Sequence, residues 1–200
     1  LAGSYACRGL TAYSALKKAN PEKGDNSLII VSAGGLGLLA LKIAKAAYNI
    51  NPIIVDIDDE KLELAKKAGA SEVINSTHEG AFEKLFELTG GGAKYVVDYV
   101  GAQASVSFGY NLLRRGGIYV VTGLFGGSMN LQLPMLTIGA RSLVGTYVGS
   151  YQEMKELMEL VKDGKIDPVP VESKPVKEIN GILDDLKNGK VPGLVSISHN

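Results

Sequence analysis

One stretch, residues 26–56, constrains the fold of this chain more than any other. It opens with the apolar run Leu28-Ile29-Ile30-Val31, which lacks the alternation of a half-exposed strand and so predicts a strand buried on both faces. A glycine-rich turn follows, and then a mostly apolar segment with two lysines, which is typical of a helix buried on most sides. A second apolar run, Ile53-Ile54-Val55, ends at Asp56. Together these features indicate a dinucleotide-binding unit.

Each part of this unit has a physical role. Gly34, Gly35 and Gly37 permit a tight turn and let the backbone approach a pyrophosphate. A helix beginning near Leu36 directs free N–H groups and its positive dipole end at the phosphates. Asp56 lies nineteen residues after Gly37, near the spacing of a carboxylate that accepts hydrogen bonds from the adenosine ribose. Such a carboxylate repels a 2′-phosphate and therefore favours NAD over NADP.

The glycine motif departs from its usual form at one position. In the pattern G-x-G-x-x-G, the first glycine is replaced here by Ser32. Two alternatives therefore stay open. The turn can be an ordinary α/β connection without a ligand, and Asp56 can instead cap a helix in the turn at residues 56–59.

Composition narrows the class of protein. Lysine plus arginine and aspartate plus glutamate number 21 each, so the chain has no basic excess for nucleic acid. A single cysteine excludes an intrachain disulfide and fits a cytoplasmic location. The longest apolar stretches are interrupted by lysine, so we expect no membrane span. The first residues do not resemble a signal peptide, and the chain can be a fragment of a longer protein.

Strand-like and helix-like segments alternate over most of the chain. This alternation predicts an α/β fold with a doubly wound parallel sheet (a Rossmann fold), right-handed crossovers and a short C-terminal return segment. The predicted strands are residues 28–31, 53–56, 72–75, 94–98, 118–122, 143–148 and 194–198. The predicted helices are residues 8–19, a segment from about 36, and residues 58–68, 81–88, 103–113, 152–162 and 176–186.

Several stretches, in this order, carry a resemblance to a known family. They are Ala6–Tyr13, Ala33–Gly37, Ala65–Asn75, Val97–Gly101, Thr122–Gly126 and Gly164–Ile166. With them the chain resembles the zinc-type alcohol dehydrogenases of the medium-chain dehydrogenase/reductase superfamily. The resemblance implies that residues 1–200 form the NAD-binding domain. It also implies that a helix at about 1–20 and a tail at about 190–200 join a GroES-like catalytic domain that this sequence lacks.

The resemblance also implies roles for single residues. Cys7 matches a ligand of the catalytic zinc, whose remaining Cys and His ligands would lie in the absent domain; a lone cysteine is otherwise a small buried hydrophobe. Thr11 matches a position facing the nicotinamide, and Lys61 matches a lysine near the adenosine ribose. Both are otherwise ordinary helix residues. The family's arginine that pairs with the pyrophosphate is replaced here by Leu194, which would weaken NAD binding.

The other expected cofactor contacts follow the predicted strands. They are Val100, Gly101, Thr122, Gly123, Leu124, Thr146 and Val148. The family holds the carboxamide through the backbone near 122–124, and the alternative for all seven is strand-end packing. His78 and His199 are expected to be solvated, and no catalytic acid or base is assigned.

Three functions remain in view. The leading one is the NAD-binding part of a zinc-dependent alcohol dehydrogenase, in which zinc polarises a small alcohol or carbonyl substrate and hydride passes to or from the nicotinamide. The second is a zinc-independent quinone or enoyl reductase of the same superfamily, and the third is a non-catalytic nucleotide-binding module. The resemblance also implies a homodimer or homotetramer that pairs sheet edges near residues 143–148.

Overall fold

A six-stranded parallel sheet organises the molecule. The computed structural model describes residues 2–167, 171–188, 190–191 and 194–198. The strands of the sheet are β1 (Leu28–Val31), β2 (Ile53–Asp56), β3 (Val73–Asn75), β4 (Ala93–Asp98), β5 (Leu113–Val121) and β6 (Ser142–Gly145). Their order is β3-β2-β1-β4-β5-β6, and all five pairings are parallel. This is the strand order of dinucleotide-binding sheets, so the predicted doubly wound fold is confirmed.

Helices cover both faces of this sheet. The helices of the described residues are α1 (Ala2–Ser4), α2 (Leu10–Ala19), α3 (Gly35–Tyr48), α4 (Asp59–Lys67), α5 (Ala81–Leu88), α6 (Gln103–Asn111), α7 (Leu133–Ile138), α8 (Tyr151–Lys162) and α9 (Ile179–Lys187), of which α2 to α8 contribute residues to the two hydrophobic clusters. A π-helical turn, Tyr5–Gly9, joins α1 to α2, and a 3-10 turn, Val176–Glu178, precedes α9. Among the described residues, no helix combines the length and apolarity that a membrane crossing requires.

The burial of strand β1 on both faces explains why its sequence does not alternate between apolar and polar residues. Its four side chains are all buried, and successive ones enter different hydrophobic clusters. Leu28 and Ile30 pack with α2, α3 and α8 on one face, whereas Ile29 and Val31 pack with α5 and α6 on the other. Burying each such side chain contributes about 1.5–3 kcal/mol, so both faces of the central strand stabilise the fold.

The largest error in the sequence-based assignment lies around residue 113. The predicted helix 103–113 ends at Asn111, and β5 begins at Leu113 rather than at residue 118. Leu113 is buried and pairs with Ala93, and the register then shifts before Tyr95. Gly116 has a φ of +76°, which lets the strand accommodate this irregularity. The Arg-Arg-Gly sequence that suggested a helix end therefore lies within a strand.

The C-terminal part forms a second, smaller sheet. Strand β7 (Val171–Pro175) pairs in parallel with β8 (Leu194–Ser198), which confirms the predicted last strand. The helix predicted from residue 176 is a 3-10 turn followed by α9, and neither β7 nor α7 was predicted. The predicted edge strand is shorter than expected, since β6 ends at Gly145, but it does lie at the edge of the main sheet.

Candidate functional site

The strand order reverses between β1 and β4, and this opens a crevice at the carboxyl ends of the two strands. Val31 pairs with Asp98 at this end of the sheet. Just beyond, the Tyr99 N–H donates to the Val31 carbonyl at 3.1 Å. The turn at residues 32–37 and the loop at residues 99–101 therefore flank the same crevice, as the sequence predicted.

The turn after β1 presents unpaired backbone donors. Gly34 is the N-cap of α3 in an extended conformation, and no side chain caps the helix. The first helical hydrogen bond runs from the Leu38 N–H to the Gly34 carbonyl at 2.9 Å. Within the described residues, the N–H groups of Gly35, Leu36 and Gly37 have no hydrogen-bond partner. Free N–H groups and the helix dipole are suited to an anion, and the binding of a pyrophosphate here stays a prediction.

Backbone packing fixes two residues of this turn. A Cβ at Gly37 would lie 1.8 Å from the Ser32 carbonyl oxygen, so only glycine fits there. Ser32 has a φ of +124°, a conformation that favours glycine, and its Oγ accepts a hydrogen bond from the Gly34 N–H at 3.1 Å. The serine thus departs from the motif in sequence, while its backbone holds a positive φ that glycine adopts more readily.

Asp56 at the end of β2 joins the two strands of the unit. Its Oδ2 accepts from the Ala33 N–H at 2.6 Å, and its Oδ1 accepts from the N–H groups of Ile57 at 2.7 Å and Asp58 at 3.2 Å. The helix cap of α4 is Asp58, so the alternative role of Asp56 as a cap is wrong. Ile57, which the sequence analysis missed, is an apolar side chain that is 70% exposed beside this carboxylate.

Lys61 lies at the start of α4 near the same edge. Its Nζ forms an ion pair with Asp58 Oδ2 at 2.9 Å. The hydrogen bond from Lys61 holds the pKa of the Asp58 carboxyl below its usual range, with help from the backbone N–H groups at the helix start. The lysine is therefore engaged with the helix cap, and its contact with a ribose stays a prediction.

Asp98 at the end of β4 is an organising residue that the sequence analysis did not select. Its fully buried carboxylate accepts from the N–H groups of Val100 at 2.7 Å and Gly101 at 3.0 Å. It also accepts from the hydroxyls of Ser105 at 2.8 Å and Tyr119 at 2.7 Å. Burial, and then the Asp98 carboxylate, raise the pKa of Tyr119. Four donors thus shape the loop beside the crevice.

The loops after β4 and β5 touch through two glycines. A Cβ at Gly101 would lie 2.0 Å from the Gly123 carbonyl oxygen, and a Cβ at Gly123 would lie 2.0 Å from the Val100 carbonyl carbon. The Thr122 N–H donates to the Asp98 carbonyl at 2.9 Å, whereas the Thr122 hydroxyl is buried without a partner in the described structure. Leu124 is 80% exposed. These predicted residues form one continuous surface.

A groove of about 360 Å³ continues this surface between the ends of β5 and β6. Its lining residues are 121–124 and 145–147. Thr146 lies in it, with its Oγ1 3.4 Å from Ser14 Oγ of α2. Thr11 is three residues before Ser14 and so lies on the same face of α2 as Ser14, and its contact with the nicotinamide stays a prediction. Val148 lies beyond β6 with a φ of +53°.

Cys7 lies in the π-helical turn, which contacts α3. Its side chain is exposed, so its interpretation as a small buried hydrophobe is wrong. It lines a cavity of about 290 Å³ with Arg8, Val171 and Val195. Over the residues that the structure describes, no group of three or more His, Cys, Asp or Glu side chains is placed to hold a metal ion.

His78, His199 and Leu194 lie outside the candidate cofactor contacts. His78 is exposed, as expected, and its Nε2 lies 3.6 Å from Asp59 Oδ2. His199 lies outside the described residues. Of Leu194 only the backbone, paired with Val171, is described. Leu194 stands where the family resemblance implies an arginine, and weaker NAD binding for that reason stays a prediction.

Comparison with known proteins agrees with this geometry. The family model described as "Zinc-binding dehydrogenase" matches residues 35–163. The chain belongs to the zinc-binding dehydrogenase family. The match begins at the first residue of α3 and ends just after α8, so it covers most of the sheet that builds the crevice.

Individual dehydrogenases of this family are similar in sequence and in structure. The NAD-dependent alcohol dehydrogenase of Sulfolobus acidocaldarius is 37% identical over 194 residues, which are 96% of this chain and 56% of that protein. The crystal structure of the alcohol dehydrogenase from Aeropyrum pernix is 34% identical with a TM-score of 0.87, over 96% of this chain and 55% of that one. The benzyl alcohol dehydrogenase of Acinetobacter calcoaceticus is 28% identical with a TM-score of 0.85, over 98% and 56%. This chain therefore spans just over half the length of the dehydrogenases it matches.

Proposed function

We propose that this chain is the NAD-binding part of an NAD-dependent alcohol dehydrogenase. The observation that carries the proposal is the pairing of free N–H groups at the start of α3 with a carboxylate, Asp56, at the end of β2. The first is suited to a pyrophosphate and the second to ribose hydroxyls. The names of the similar dehydrogenases support NAD as the dinucleotide and an alcohol as the substrate.

The described residues fit such a cofactor along its length. The unpaired N–H groups of Gly35, Leu36 and Gly37 would hold the pyrophosphate, and Asp56 would accept from the adenosine ribose. The exposed Ile57 beside Asp56 offers an apolar surface for adenine. The nicotinamide half then extends over the ends of β4, β5 and β6, because the adenosine half occupies the opposite side of the switch point.

The role of this chain in the reaction is orientation. When bound, NAD supplies the hydride acceptor, and the reduced form supplies the donor. The loops at residues 99–101 and 122–124 hold one face of the nicotinamide, since their glycines keep the two backbones in contact. Thr146 lines the groove and contacts Ser14 of α2, and Thr11, on the same face of α2 as Ser14, would face the nicotinamide. We assign no proton transfer to the described residues.

Zinc requires more than this chain offers. A catalytic zinc needs three protein ligands, and Cys7 offers a single exposed sulfur that belongs to no group of three or more potential ligands among the described residues. The described donor set therefore does not fit the metal by itself. In our proposal, Cys7 is one ligand of a zinc site completed by a catalytic domain, which the segments at about 1–20 and 190–200 would join.

Asp56 also distinguishes the proposed alcohol dehydrogenase from a quinone or enoyl reductase of the same superfamily. A quinone or enoyl reductase that uses NADPH needs a small or basic residue where this chain places a carboxylate. A non-catalytic nucleotide-binding module shares the crevice and differs only in the absence of turnover. Catalysis by the complete subunit would exclude the module.

We also propose a homodimer or homotetramer formed through the edge strand β6. Its backbone edge is not covered by another strand of the described sheet, and Leu143 is 38% exposed. The adjacent helix α7 exposes Leu133, Met135 and Ile138. A bare apolar edge invites pairing. Light scattering should show a dimer or larger species, and a concentration-independent monomer would contradict this proposal.

The free, exposed Cys7 leads us to propose a cytoplasmic location, because a reducing compartment keeps an accessible thiol unpaired. Cell fractionation with an antibody against the chain tests this. Recovery with a secreted or periplasmic fraction would contradict it.

Hydrogen exchange with and without NADH tests the placement of the cofactor. We expect NADH to slow amide exchange in residues 34–38, 99–101 and 122–124, because these backbones line the crevice and its continuation. Residues 89–92, which precede β4 at the opposite, amino-terminal end of the strands, serve as the internal control and should not change. Protection confined to that control region would contradict the proposed site.

A further inference from the structure

The side chain of Asn75, at the end of β3, is a buried amide with four hydrogen bonds. The residue is 8% exposed, and β3 pairs it with Asp56 of β2. Its Nδ2 donates to the Ile57 carbonyl at 3.2 Å and to Asp59 Oδ1 at 2.9 Å. Its Oδ1 accepts from the Thr77 N–H at 3.0 Å and from the Thr77 hydroxyl at 2.7 Å. Both the donors and the acceptor of this amide are therefore in use.

The backbone groups around Asn75 fix the orientation of its amide. The Thr77 N–H can only donate and the Ile57 carbonyl can only accept, so the amide oxygen faces Thr77 and the amide nitrogen faces Ile57. An amide turned by half a rotation would place a donor against a donor and an acceptor against an acceptor. The hydrogen bond from Asn75 to the Ile57 carbonyl is thus determined by the backbone around it.

The peptide unit between Ile57 and Asp58 connects Asn75 to the Asp56 carboxylate. In a trans peptide the carbonyl and the N–H point in opposite directions. The carbonyl of this unit accepts from Asn75 Nδ2, and its N–H, which belongs to Asp58, donates to Asp56 Oδ1 at 3.2 Å. Hydrogen bonds at the two ends of one peptide polarise each other and so strengthen each other. Asn75 therefore holds the peptide that holds the carboxylate.

The position of the Asp56 carboxylate depends on this turn. Its hydrogen bonds come from backbone N–H groups, of which those of Ile57 and Asp58 belong to the turn and that of Ala33 belongs to the glycine-rich loop. A carboxylate accepts from ribose hydroxyls and repels a 2′-phosphate only while it points at the ribose. If the turn shifts, Asp56 loses two of its donors, and with them the orientation on which both effects depend.

We propose that Asn75 is a positioning residue for Asp56 and thereby contributes to the choice of NAD over NADP. This inference rests on the proposed function. Asn75 acts through the peptide between Ile57 and Asp58 and not by contact with the cofactor. It adds to the proposed site a residue from β3, which the glycine-rich turn and the spacing of Asp56 do not reveal.

The experiment compares Asn75→Ala with a matched control, Thr77→Val. The first removes both amide donors, whereas the second removes the hydroxyl that binds Asn75 Oδ1 and leaves both amide donors in place. The affinities for NADH and NADPH are measured by calorimetry on the 200-residue chain. We expect N75A to weaken NADH about tenfold and NADPH by less than about threefold, because only NADH gains from a correctly placed carboxylate. T77V should keep the preference of the unsubstituted chain.

The ratio of the two affinities separates positioning from a merely structural role. Loss of structure alone weakens both dinucleotides by the same factor, whereas the proposal predicts that the preference for NADH falls at least about threefold in N75A. ADP-ribose keeps the adenosine ribose and lacks the nicotinamide, so N75A should weaken it by the same factor as NADH. If N75A does not fold, Asn75→Leu removes the amide at nearly constant volume and provides the same comparison.

Three results would overturn the inference while leaving the proposed function intact. They are an unchanged ratio of NADH to NADPH affinity in N75A, an equal fall of that ratio in T77V, and an unchanged affinity of N75A for ADP-ribose. Failure of the unsubstituted chain to bind NADH, or to prefer it over NADPH, would contradict the proposed function and this inference with it.

Discussion

Replacement of Ser32 by glycine and by alanine should reverse the usual stability order of these two residues. Ser32 has a φ of +124°, where a side chain strains the backbone by about 1–3 kcal/mol. Alanine keeps that strain and glycine removes it. At an ordinary position glycine is less stable than alanine by about 0.5–1 kcal/mol, because it loses more backbone freedom on folding.

The expected difference follows from these opposing terms. Glycine removes the backbone strain, which favours Ser32→Gly, but it also loses more backbone entropy on folding, which favours Ser32→Ala. The strain term is the larger, so we expect Ser32→Gly to be more stable than Ser32→Ala by about 1 kcal/mol. Both variants lose the hydrogen bond from the Gly34 N–H to Ser32 Oγ, which contributes about 1 kcal/mol. S32A should therefore be clearly less stable than the unsubstituted chain, and S32G should lie close to it. For a domain of this size the two variants should differ in Tm by about 3 °C.

Urea unfolding followed by circular dichroism measures this difference. Ser71 provides the matched control, because it is an exposed serine without a positive φ, so glycine should be the less stable replacement there. An S32A variant as stable as S32G, with the usual order at Ser71, would refute the claim that residue 32 holds the conformation of the motif's first glycine.

Further substitutions test other parts of the account. Gly37→Ala should destabilise the chain by about 3 kcal/mol, because its Cβ would meet the Ser32 carbonyl oxygen at 1.8 Å. Gly181→Ala, at a position on α9 where an added Cβ meets no other atom, should stabilise the chain by up to about 1 kcal/mol. Urea unfolding that shows the same change in stability for Gly37→Ala and Gly181→Ala would contradict the packing argument. Lys17 and then the Tyr13 hydroxyl, at 2.9 Å, lower the pKa of the Glu156 carboxyl in the folded state. Its stabilising contribution is therefore present above the ordinary glutamate pKa of about 4.3 and lost as pH falls through the lower folded-state value. The free energy of unfolding should fall less in E156Q than in the unsubstituted chain between about pH 5 and 3, and parallel curves would argue against this. Because the Cys7 thiol is exposed, its rates of reaction with a thiol reagent in the folded and the unfolded chain should differ by less than about tenfold. Reaction only after unfolding would show that the thiol is buried.

The parts of the fold that could be predicted are those that local sequence determines. Strand β1 and helix α5 were assigned with their observed bounds, because a four-residue apolar run and a helical stripe ended by glycines need no distant partner for recognition. The cofactor turn was located for the same reason. Asp56 was found from its spacing alone, and the structure shows its carboxylate bound to the Ala33 N–H in that turn.

The missed features depend on contacts between distant residues. Strand β7 contains Glu172, Lys174 and Pro175, and it pairs with a strand that begins at Leu194. From the sequence, Asp98 could be placed only as an acidic residue at the end of a strand. Its hydrogen bonds could not be predicted, because the donors Ser105 and Tyr119 come from later elements. The glycine-like backbone of Ser32 could not be predicted from the residue itself, since serine does not favour a positive φ.

The central claim is that the crevice between β1 and β4 binds NAD and that Asp56 selects it over NADP. Parallel calorimetric titrations of this chain with NADH and NADPH test the claim most directly. We expect NADH to bind in the micromolar range and NADPH to bind at least about tenfold more weakly, because the 2′-phosphate meets the Asp56 carboxylate. Binding of neither dinucleotide, or tighter binding of NADPH, would contradict the account.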